Sequence, residues 1–446
     1  MNRFIFIGLL LFLGFLLLDL GSRSLALDSR SVFETTLANG LKVLLLENRK
    51  APVVSVQVWY NVGSREEPLG KSGLTHLGEH LMFRGTARYG PKMFSRVIQK
   101  NGGQDNAFTS RDYTAYYSNL AADRIAIPLE LEADRMTNLL VDEQKFRTEL
   151  QVVQEERRLR IKDDPVASLY EEINAVAFKS HPYQRPVIGW MEDLETLAHR
   201  DFQEFYKTYY RPGNAVLVVA GDLQRETLLP LIEKTFGRVA AGSPPPRIQV
   251  KEPPQEAQKR VVLQRPEARL PYVALAFHVP AFPHPDAFPL EVMSHILAGG
   301  KSSRMYRKMV YEEQLALEVD ADFPFNSKDP HLFYLAAQAM PGKTPEAIER
   351  RLQEELLEWE RRPPDPEEIE RAKNRIEAGF IFSQDSIFSQ AMILGKYQTL
   401  GDWRGIEQFL PGIRTVTQDD LLRVYRTYFK SGNRTIGVLI PAGLSR

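Results

Sequence analysis

The chain has 446 residues, enough for about three domains or two large ones. Its 57 basic and 57 acidic residues cancel, so no overall field would draw it to nucleic acid or to an acidic membrane surface. The absence of cysteine excludes disulfides, thiol catalysis, iron–sulfur clusters and thiolate zinc sites, so any metal must be held by nitrogen and oxygen ligands.

The first 26 residues are predicted to direct the chain out of the cytoplasm. Met1–Arg3 give a basic start, Phe4–Leu20 are apolar except for Asp19, and the small residues Ser24 and Ala26 fit cleavage after position 26. This is the three-part pattern of a secretory signal peptide. Because the apolar run nearly reaches the length of a membrane span, an uncleaved N-terminal anchor is the alternative. We therefore expect a periplasmic or otherwise exported protein, attached to the inner membrane if the segment is retained.

Residues 27–241 are expected to form a first domain that contains both strands and helices. Runs of alternating polar and apolar residues, or of apolar residues alone, predict strands at 32–37, 41–46, 53–60, 104–109, 114–119 and 215–220. Asn39-Gly40 is typical of a hairpin turn and would join the first two of these strands. Apolar residues at helical spacing predict helices at about 73–84, 91–101, 123–140, 143–162, 166–178, 195–208 and 225–236.

A proline-rich linker is expected at 242–256, where Pro244-Pro245-Pro246 and Pro253-Pro254 favour an extended, semi-rigid chain. Residues 257–446 then form a second domain. Its strands are predicted at 272–279, 317–323, 332–339 and 435–440, and its helices at about 286–298, 302–312, 344–360, 366–383, 386–399 and 417–429.

An internal repeat relates the two domains. Thr208–Asn214 precedes one apolar strand and Thr427–Asn433 precedes another, at an offset of 219 residues and within a similar order of elements. The repeat reduces the domain count to two. It predicts an α+β fold of two homologous domains, each a mainly antiparallel sheet with helices packed on one face.

The motif with the clearest chemistry is His76-Leu77-Gly78-Glu79-His80. Positions i and i+4 share a helix face, so the two imidazoles can hold one Zn²⁺. Glu79 can then take the proton of a water molecule at the metal as it attacks a peptide carbonyl, and pass that proton to the leaving amine. This His-x-x-Glu-His order is typical of inverzincins. The alternative is a solvated helix face that carries two histidines by chance.

The motif and the repeat together resemble the pitrilysin family of zinc metallopeptidases, which includes the mitochondrial processing peptidases. The resemblance covers essentially the whole mature chain and implies the half-clam, LuxS-like fold of that family. In the family a Glu about 76 residues beyond the last His completes the metal site, and here Glu156 stands 76 residues beyond His80. The resemblance therefore implies one Zn²⁺ per chain, with His76, His80 and Glu156 as ligands and Glu79 as the catalytic residue.

Two further features follow from this resemblance. Glu149, on the same helix face as Glu156, matches an acid that orients a ligand histidine, although an ordinary surface carboxylate is the alternative. The segment Gly102–Thr109 resembles the substrate-binding edge strand, so Asn106, Ala107 and Phe108 are expected to contact peptides or unfolded polypeptide segments. An ordinary hairpin is the alternative for this segment.

The second domain departs from the family pattern. The 219-residue offset carries Glu79 and His80 onto Ala298 and Gly299, so this domain is expected to lack a metal site. Active members usually carry an Arg and a Tyr that stabilise the oxyanion, but Val310 and Leu317 occupy those positions here and cannot donate hydrogen bonds.

A complete zinc motif without the Arg–Tyr pair resembles the zinc subunit of two-subunit members, as in the beta subunit of the mitochondrial processing peptidase. This predicts a heterodimer in which a paralogous chain supplies Arg and Tyr and the two chains enclose a chamber. The alternatives are a non-catalytic scaffold and a periplasmic assembly or peptide-binding protein that retains zinc for structure.

Overall fold

The computed structural model describes residues 29–246 and 248–442. The predicted signal peptide or anchor at 1–26 lies outside these ranges. Among the described residues, no helix has the length and apolar character that a membrane span requires.

Within the described residues, the first half of the chain forms a six-stranded sheet. Its strands are β1 (Val32–Thr36), β2 (Lys42–Glu47), β3 (Val53–Tyr60), β4 (Gln104–Thr109), β5 (Thr114–Ala121) and β6 (Ala215–Gly221). Their order is β1-β2-β6-β3-β5-β4, and every neighbouring pair is antiparallel except β2 and β6. Strand β4 therefore lies at an edge of the sheet.

The helices of the first half follow β3 and β5 and flank β6. They are α1 (Leu74–Leu81), α2 (Met93–Lys100), α3 (Ala126–Asn138), α4 (Glu143–Asp163), α5 (Pro165–Ala177), α6 (Met191–Thr196), α7 (His199–Tyr209) and α8 (Arg225–Thr235).

The second half repeats this architecture with one strand fewer among the described residues. Its strands are β7 (Lys259–Arg265), β8 (Tyr272–Val279), β9 (Ala316–Asp322), β10 (His331–Ala339) and β11 (Arg434–Pro441). Its helices are α9 (Ala287–Ala298), α10 (Pro345–Arg361), α11 (Pro366–Phe382), α12 (Ile387–Leu400), α13 (Ile406–Thr415) and α14 (Gln418–Tyr428).

The order of the second sheet, β7-β11-β8-β10-β9, matches that of the first sheet without β1. Its one parallel pair, β7 and β11, corresponds to β2 and β6, and the other neighbours are antiparallel. The predicted α+β fold of two homologous, mainly antiparallel halves is thus confirmed.

Each sheet packs its own helices on one face, and a helix from the other half covers the opposite face. Helix α5 of the first half packs on the second sheet, where Leu169 and Ile173 join a core with Ala274 and Ala276. Helix α12 of the second half packs on β3 and β6. This exchange buries both faces of both sheets and joins the halves through apolar contacts.

Glycine allows the closest of these approaches. A Cβ atom on Gly437 of β11 would lie 2.4 Å from Ile173 of α5, and one on Gly395 of α12 would lie 2.1 Å from the Trp59 ring of β3. Any larger residue would push the exchanged helix away from its sheet.

Two predicted elements are wrong in detail, and two further elements were not predicted. The helix predicted at 195–208 is two helices, because Leu197 adopts an extended backbone after α6. The helix predicted at 302–312 is a π-helical turn at Tyr306–Glu312 after a glycine turn. Strand β7 was not predicted, since its polar and apolar residues follow a proline-rich stretch. Helix α13 was not predicted because it contains Pro411 and Gly412.

Candidate metal and catalytic site

Helix α1 carries the two histidines of the motif. Leu74, Leu77 and Leu81 are buried and fix this short helix against the core of the first half. At its start, the carboxylate of Glu67 accepts hydrogen bonds from the backbone N–H groups of residues 73 (3.0 Å) and 75 (2.7 Å). These bonds satisfy donors that a helix N-terminus leaves free, so the position of the motif is well determined.

Helix α4 carries the two glutamates assigned from the family resemblance. Asp142 caps its start by accepting from the backbone N–H of Lys145, and its buried Phe146 and Val153 pack on the core. Glu149 and Glu156 are seven residues apart, which is about two helical turns, so they share one face of the helix. Helix α4 packs against α1.

The three predicted ligands converge. One donor atom each of His76, His80 and Glu156 lies within 4.8 Å of the other two, and no other group of three or more potential ligands occurs in residues 29–246 and 248–442. Oε2 of Glu156 is 3.8 Å from Nε2 of His76 and 3.4 Å from Nε2 of His80. In a tetrahedral zinc site the donor atoms lie about 2.0–2.1 Å from the metal and therefore roughly 3.3 Å from one another. The distances between these three residues fit this metal.

Glu149 lies beside this group and not within it. Its Oε1 atom is 3.0 Å from Nδ1 of His80, and its carboxylate also forms an ion pair with Arg84. A hydrogen bond to Nδ1 fixes the imidazole with Nε2 free to bind a metal. The contact expected of Glu149 is present.

Glu79 points toward the edge of the sheet. Its Oε2 atom accepts a 2.5 Å hydrogen bond from Oγ1 of Thr109, the last residue of β4. Burial raises the pKa of the Glu79 carboxyl, an effect that the hydrogen bond from Thr109 opposes. A carboxyl tuned in this direction suits proton transfer near neutral pH.

The two histidines have different electrostatic surroundings. Burial, together with the nearby charges of His80 and Arg160, lowers the pKa of His76 to about 3. Burial also disfavours the charged form of His80, but the carboxylates of Glu149 and Glu156 outweigh it and raise the pKa of that imidazole. A neutral His76 has the lone pair that a metal ligand requires.

The predicted substrate residues lie on the open side of β4. Asn106 pairs with Tyr117 of β5 and its side chain is exposed, while its Oδ1 accepts a 2.9 Å hydrogen bond from the backbone N–H of Ala107. Ala107 packs toward the helices of the first half, and Phe108 packs on the other face against Trp59. The edge is free of a further strand among the described residues.

The second half has no counterpart of this site in its described residues. His295, the equivalent of His76, stands on α9 with Nε2 3.6 Å from Oε1 of Glu291. Val310 packs on the core of its own half, and Leu317 at the start of β9 is 43% exposed. Gln314 adopts a positive φ of 44° between them.

Three contacts of the site were not anticipated from the sequence: Thr109 with Glu79, Arg84 with Glu149, and Arg160 with Glu156, whose Nη2 and Oε1 atoms are 2.6 Å apart. The i,i+4 spacing of Glu156 and Arg160 on one helix could have indicated the last pair. The other two join residues 30 and more positions apart, which no local pattern predicts.

The chain is similar in sequence and in fold to known proteins. Residues 42–190 match the family model described as insulinase (peptidase family M16), and residues 196–376 match that of the peptidase M16 inactive domain. Zinc protease PqqE of Helicobacter pylori is 33% identical over 414 residues, which cover 91% of this chain and 92% of that protein. The beta subunit of the mitochondrial-processing peptidase of Lentinula edodes is 25% identical over 409 residues, 88% of this chain and 86% of that protein. The crystal structure of a protease from Helicobacter pylori matches with a TM-score of 0.88 and 32% identity, over 92% of this chain and 99% of that chain.

Proposed function

Because the chain belongs to the insulinase, or pitrilysin, family of zinc metallopeptidases (peptidase family M16), we propose that it is a zinc-dependent endopeptidase that cleaves peptides or unfolded polypeptide segments. The observation that carries this proposal is the convergence of His76, His80 and Glu156 beside Glu79. Three ligands with a separate carboxylate are typical of a catalytic zinc, whereas a structural zinc is closed by four protein ligands.

One Zn²⁺ per chain would be held by Nε2 of His76, Nε2 of His80 and the carboxylate of Glu156. When bound, zinc supplies a Lewis acid that polarises a carbonyl and lowers the pKa of water. Glu149 holds His80 through Nδ1, so the imidazole does not need to reorient when the metal binds.

Glu79 is the general base of the proposed reaction. Thr109 fixes Oε2 of the carboxylate, so Oε1 is the oxygen available to accept the proton of the attacking water. The protonated carboxyl then donates this proton to the nitrogen of the leaving amine, which restores the starting state. The burial that raises the pKa of Glu79 helps the group to hold the proton between these two steps.

The substrate is proposed to add a strand to the open edge of β4. Main-chain hydrogen bonds would then hold the peptide, with side chains selected only by the pockets they reach. The N–H of Ala107 is bonded to the side chain of Asn106, and a substrate carbonyl would take over this donor. The amide of Asn106 would thereby be freed to bind the substrate backbone, and Phe108 would support the strand from the other face.

The catalytic unit is proposed to be a heterodimer with a paralogous chain. Val310 and Leu317 have no hydrogen-bonding side chain, so this chain lacks the oxyanion donors that the family carries at these positions. Relatives of this chain include the beta subunit of a mitochondrial-processing peptidase. The partner would supply the Arg and Tyr, and the chamber between the two chains would admit peptides and exclude folded proteins.

We propose that residues 242–256 are the linker between two domains, residues 27–241 and 257–446.

We also propose, on the basis of residues 1–26, that the protein lies outside the cytoplasm. Cell fractionation with N-terminal sequencing tests the location. A mature N-terminus after residue 26 in the periplasmic fraction supports export with cleavage, and a cytoplasmic chain that retains Met1 contradicts it.

The function is tested by zinc analysis and a peptide-cleavage assay on the purified chain, with and without the paralogue. We expect one zinc per chain and an increase in kcat of about 10²–10³-fold with the partner, the usual effect of one oxyanion donor. Absence of bound zinc would favour a scaffold. Bound zinc without cleavage in either sample would favour an assembly or peptide-binding protein. Full activity of the single chain, unchanged by the paralogue, would exclude the obligate heterodimer.

A further inference from the structure

A cavity of about 400 Å³ lies beside the candidate metal site. This volume is within the usual range for ligand pockets. Its wall is formed by the end of α4, by α5, by the loop at 184–188 and by the turn between β4 and β5. The side chains that give it chemical character are those of Arg111, Arg157, Arg160, Tyr170, Glu171 and Arg185.

The lining is strongly cationic, with four guanidinium groups and one carboxylate. That carboxylate, Glu171, is engaged by Arg157, whose Nη1 lies 2.9 Å from its Oε2. Arg185 donates only to backbone carbonyl oxygens, at 3.0 and 3.1 Å. Arg111 donates no side-chain hydrogen bond and forms no ion pair among the described residues. Arg160 is paired with Glu156, outside the lining. Arg111 and Arg185 are therefore the two cations of the cavity that have no ion pair among the described residues.

Two of these guanidinium groups have unused donors. The Nε atoms of Arg111 and Arg157 are buried and have no hydrogen-bond partner, and Arg157 is only 3% exposed as a residue. A buried donor without an acceptor is unfavourable, and one on a charged group more so. An ionised carboxylate is the ligand that best matches the planar donor set of a guanidinium.

The cavity adjoins the catalytic residues on two sides. Arg160 contacts Oε1 of Glu156, whose other oxygen faces the two histidines. Arg111 stands two residues after Thr109, which is bonded to Glu79. A peptide that pairs with β4 and presents its scissile bond to Glu79 would thus place a neighbouring side chain at the mouth of the cavity.

We propose that this cavity is a subsite for an acidic side chain, Asp or Glu, next to the scissile bond, and that Arg111 is its main specificity-determining residue. The inference rests on the proposed peptidase function and narrows its substrates to peptides with a carboxylate near the cleaved bond. Bound there, the carboxylate accepts hydrogen bonds from Arg111 and Arg157. This offsets the desolvation of both guanidinium groups.

The test uses peptides that are identical except for Glu, Gln or Lys at each position flanking the cleaved bond, with the zinc-loaded protein and its paralogue. At one of these positions we expect kcat/KM for Glu to exceed that for Gln and Lys by about 10- to 100-fold, the usual effect of a charge-assisted hydrogen bond. Arg111→Glu should reverse the order of Glu and Lys, whereas Arg111→Lys should keep it.

A matched control is Arg158→Glu, which makes the same change of charge on α4 at a side chain that is 52% exposed and paired with Glu155. This variant should keep the preference for Glu. An equal reversal by Arg158→Glu would show that general electrostatics, and not this cavity, sets the preference. Equal cleavage of the Glu, Gln and Lys peptides by the active enzyme would overturn the subsite and leave the peptidase function intact.

If no peptide is cleaved, a binding measurement tests the subsite separately from the peptidase function. The affinities of the same labelled peptides for zinc-loaded Glu79→Gln are measured by fluorescence anisotropy, which needs no turnover. Glu79→Gln should bind the Glu peptide more tightly than the other two peptides, and a double variant that also carries Arg111→Glu should lose this preference. This result supports the subsite even if the peptidase function fails. Equal affinities for all three peptides overturn the subsite.

Discussion

The hydroxyl of Thr109 donates a hydrogen bond to Oε2 of Glu79 across 2.5 Å. Thr109 ends the edge strand β4, and Glu79 belongs to the helix that carries both histidines. One hydrogen bond thus connects the strand proposed to bind the peptide with the carboxylate proposed to activate water.

Replacement of Thr109 by Val should lower kcat by about 10- to 100-fold with little change in KM or zinc content, because the base loses its anchor but not its charge. Thr109→Ser keeps the hydroxyl and should restore most of the rate. Steady-state kinetics of the zinc-loaded protein measure both. Thr227→Val, far from the site and with its hydroxyl on the carbonyl of Gln224, is the control. An unchanged kcat in Thr109→Val would contradict this role.

Removal of the charge of Glu149 should weaken zinc binding by about 10- to 100-fold, as is usual when the partner of a ligand histidine is lost. The change Glu149→Gln keeps the shape of the side chain and is assayed by competition with a zinc chelator. Glu155→Gln on the same helix is the control, because that carboxylate is 65% exposed and forms an ion pair with Arg158. Equal zinc affinities of the two variants would show that Glu149 does not support the metal site.

The contribution of Glu67 to the stability of the protein should decrease as the pH rises from about 4.5 to 8. Burial raises the pKa of Glu67 to about 8, above the value of 4.5 expected in the unfolded chain, although its hydrogen bonds from Thr75 and Gly73 oppose the shift. Between these values the folded state binds an extra proton at Glu67. This contribution to stability is therefore fully present below pH 4.5 and is lost as the pH rises to about 8, by at most about 1.4 kcal/mol per pH unit.

Urea unfolding at several pH values checks this prediction in the wild type and in Glu67→Gln. The variant cannot ionise, so its free energy of unfolding should vary less with pH over this window. An identical dependence in both proteins would exclude Glu67 as the source.

The contact between Gly437 and Ile173 should be sensitive to a single methyl group. Gly437→Ala places a Cβ 2.4 Å from Ile173, which forces α5 away from the second sheet and should cost about 1–3 kcal/mol of unfolding free energy. Gly379→Ala in α11 has open space around its Cβ and should be neutral or stabilising by up to about 1 kcal/mol. Equal free energies of unfolding for the two variants in denaturant would show that this close approach does not contribute to the packing of α5 on the second sheet.

Local patterns in the sequence predicted most of the elements, and the 219-residue repeat predicted their arrangement in two related sheets. The His76–His80 spacing predicted the core of the metal site, but only the family resemblance indicated Glu156. No pattern indicated that α5 and α12 would pack on the sheet of the opposite half, because an apolar face does not specify its partner. The bond between Thr109 and Glu79 is likewise set by how α1 crosses β4, which depends on the packing of the whole first half.

The central claim is tested most directly by the rate at which zinc-loaded Glu79→Gln cleaves a peptide in the presence of the paralogue, compared with wild type at equal zinc content. If Glu79 moves the proton of the attacking water, the variant should keep one zinc per chain and lose about 10²–10⁴-fold in kcat, the usual contribution of a general base. A variant that keeps its zinc and cleaves within a few-fold of the wild-type rate would contradict the proposed peptidase mechanism.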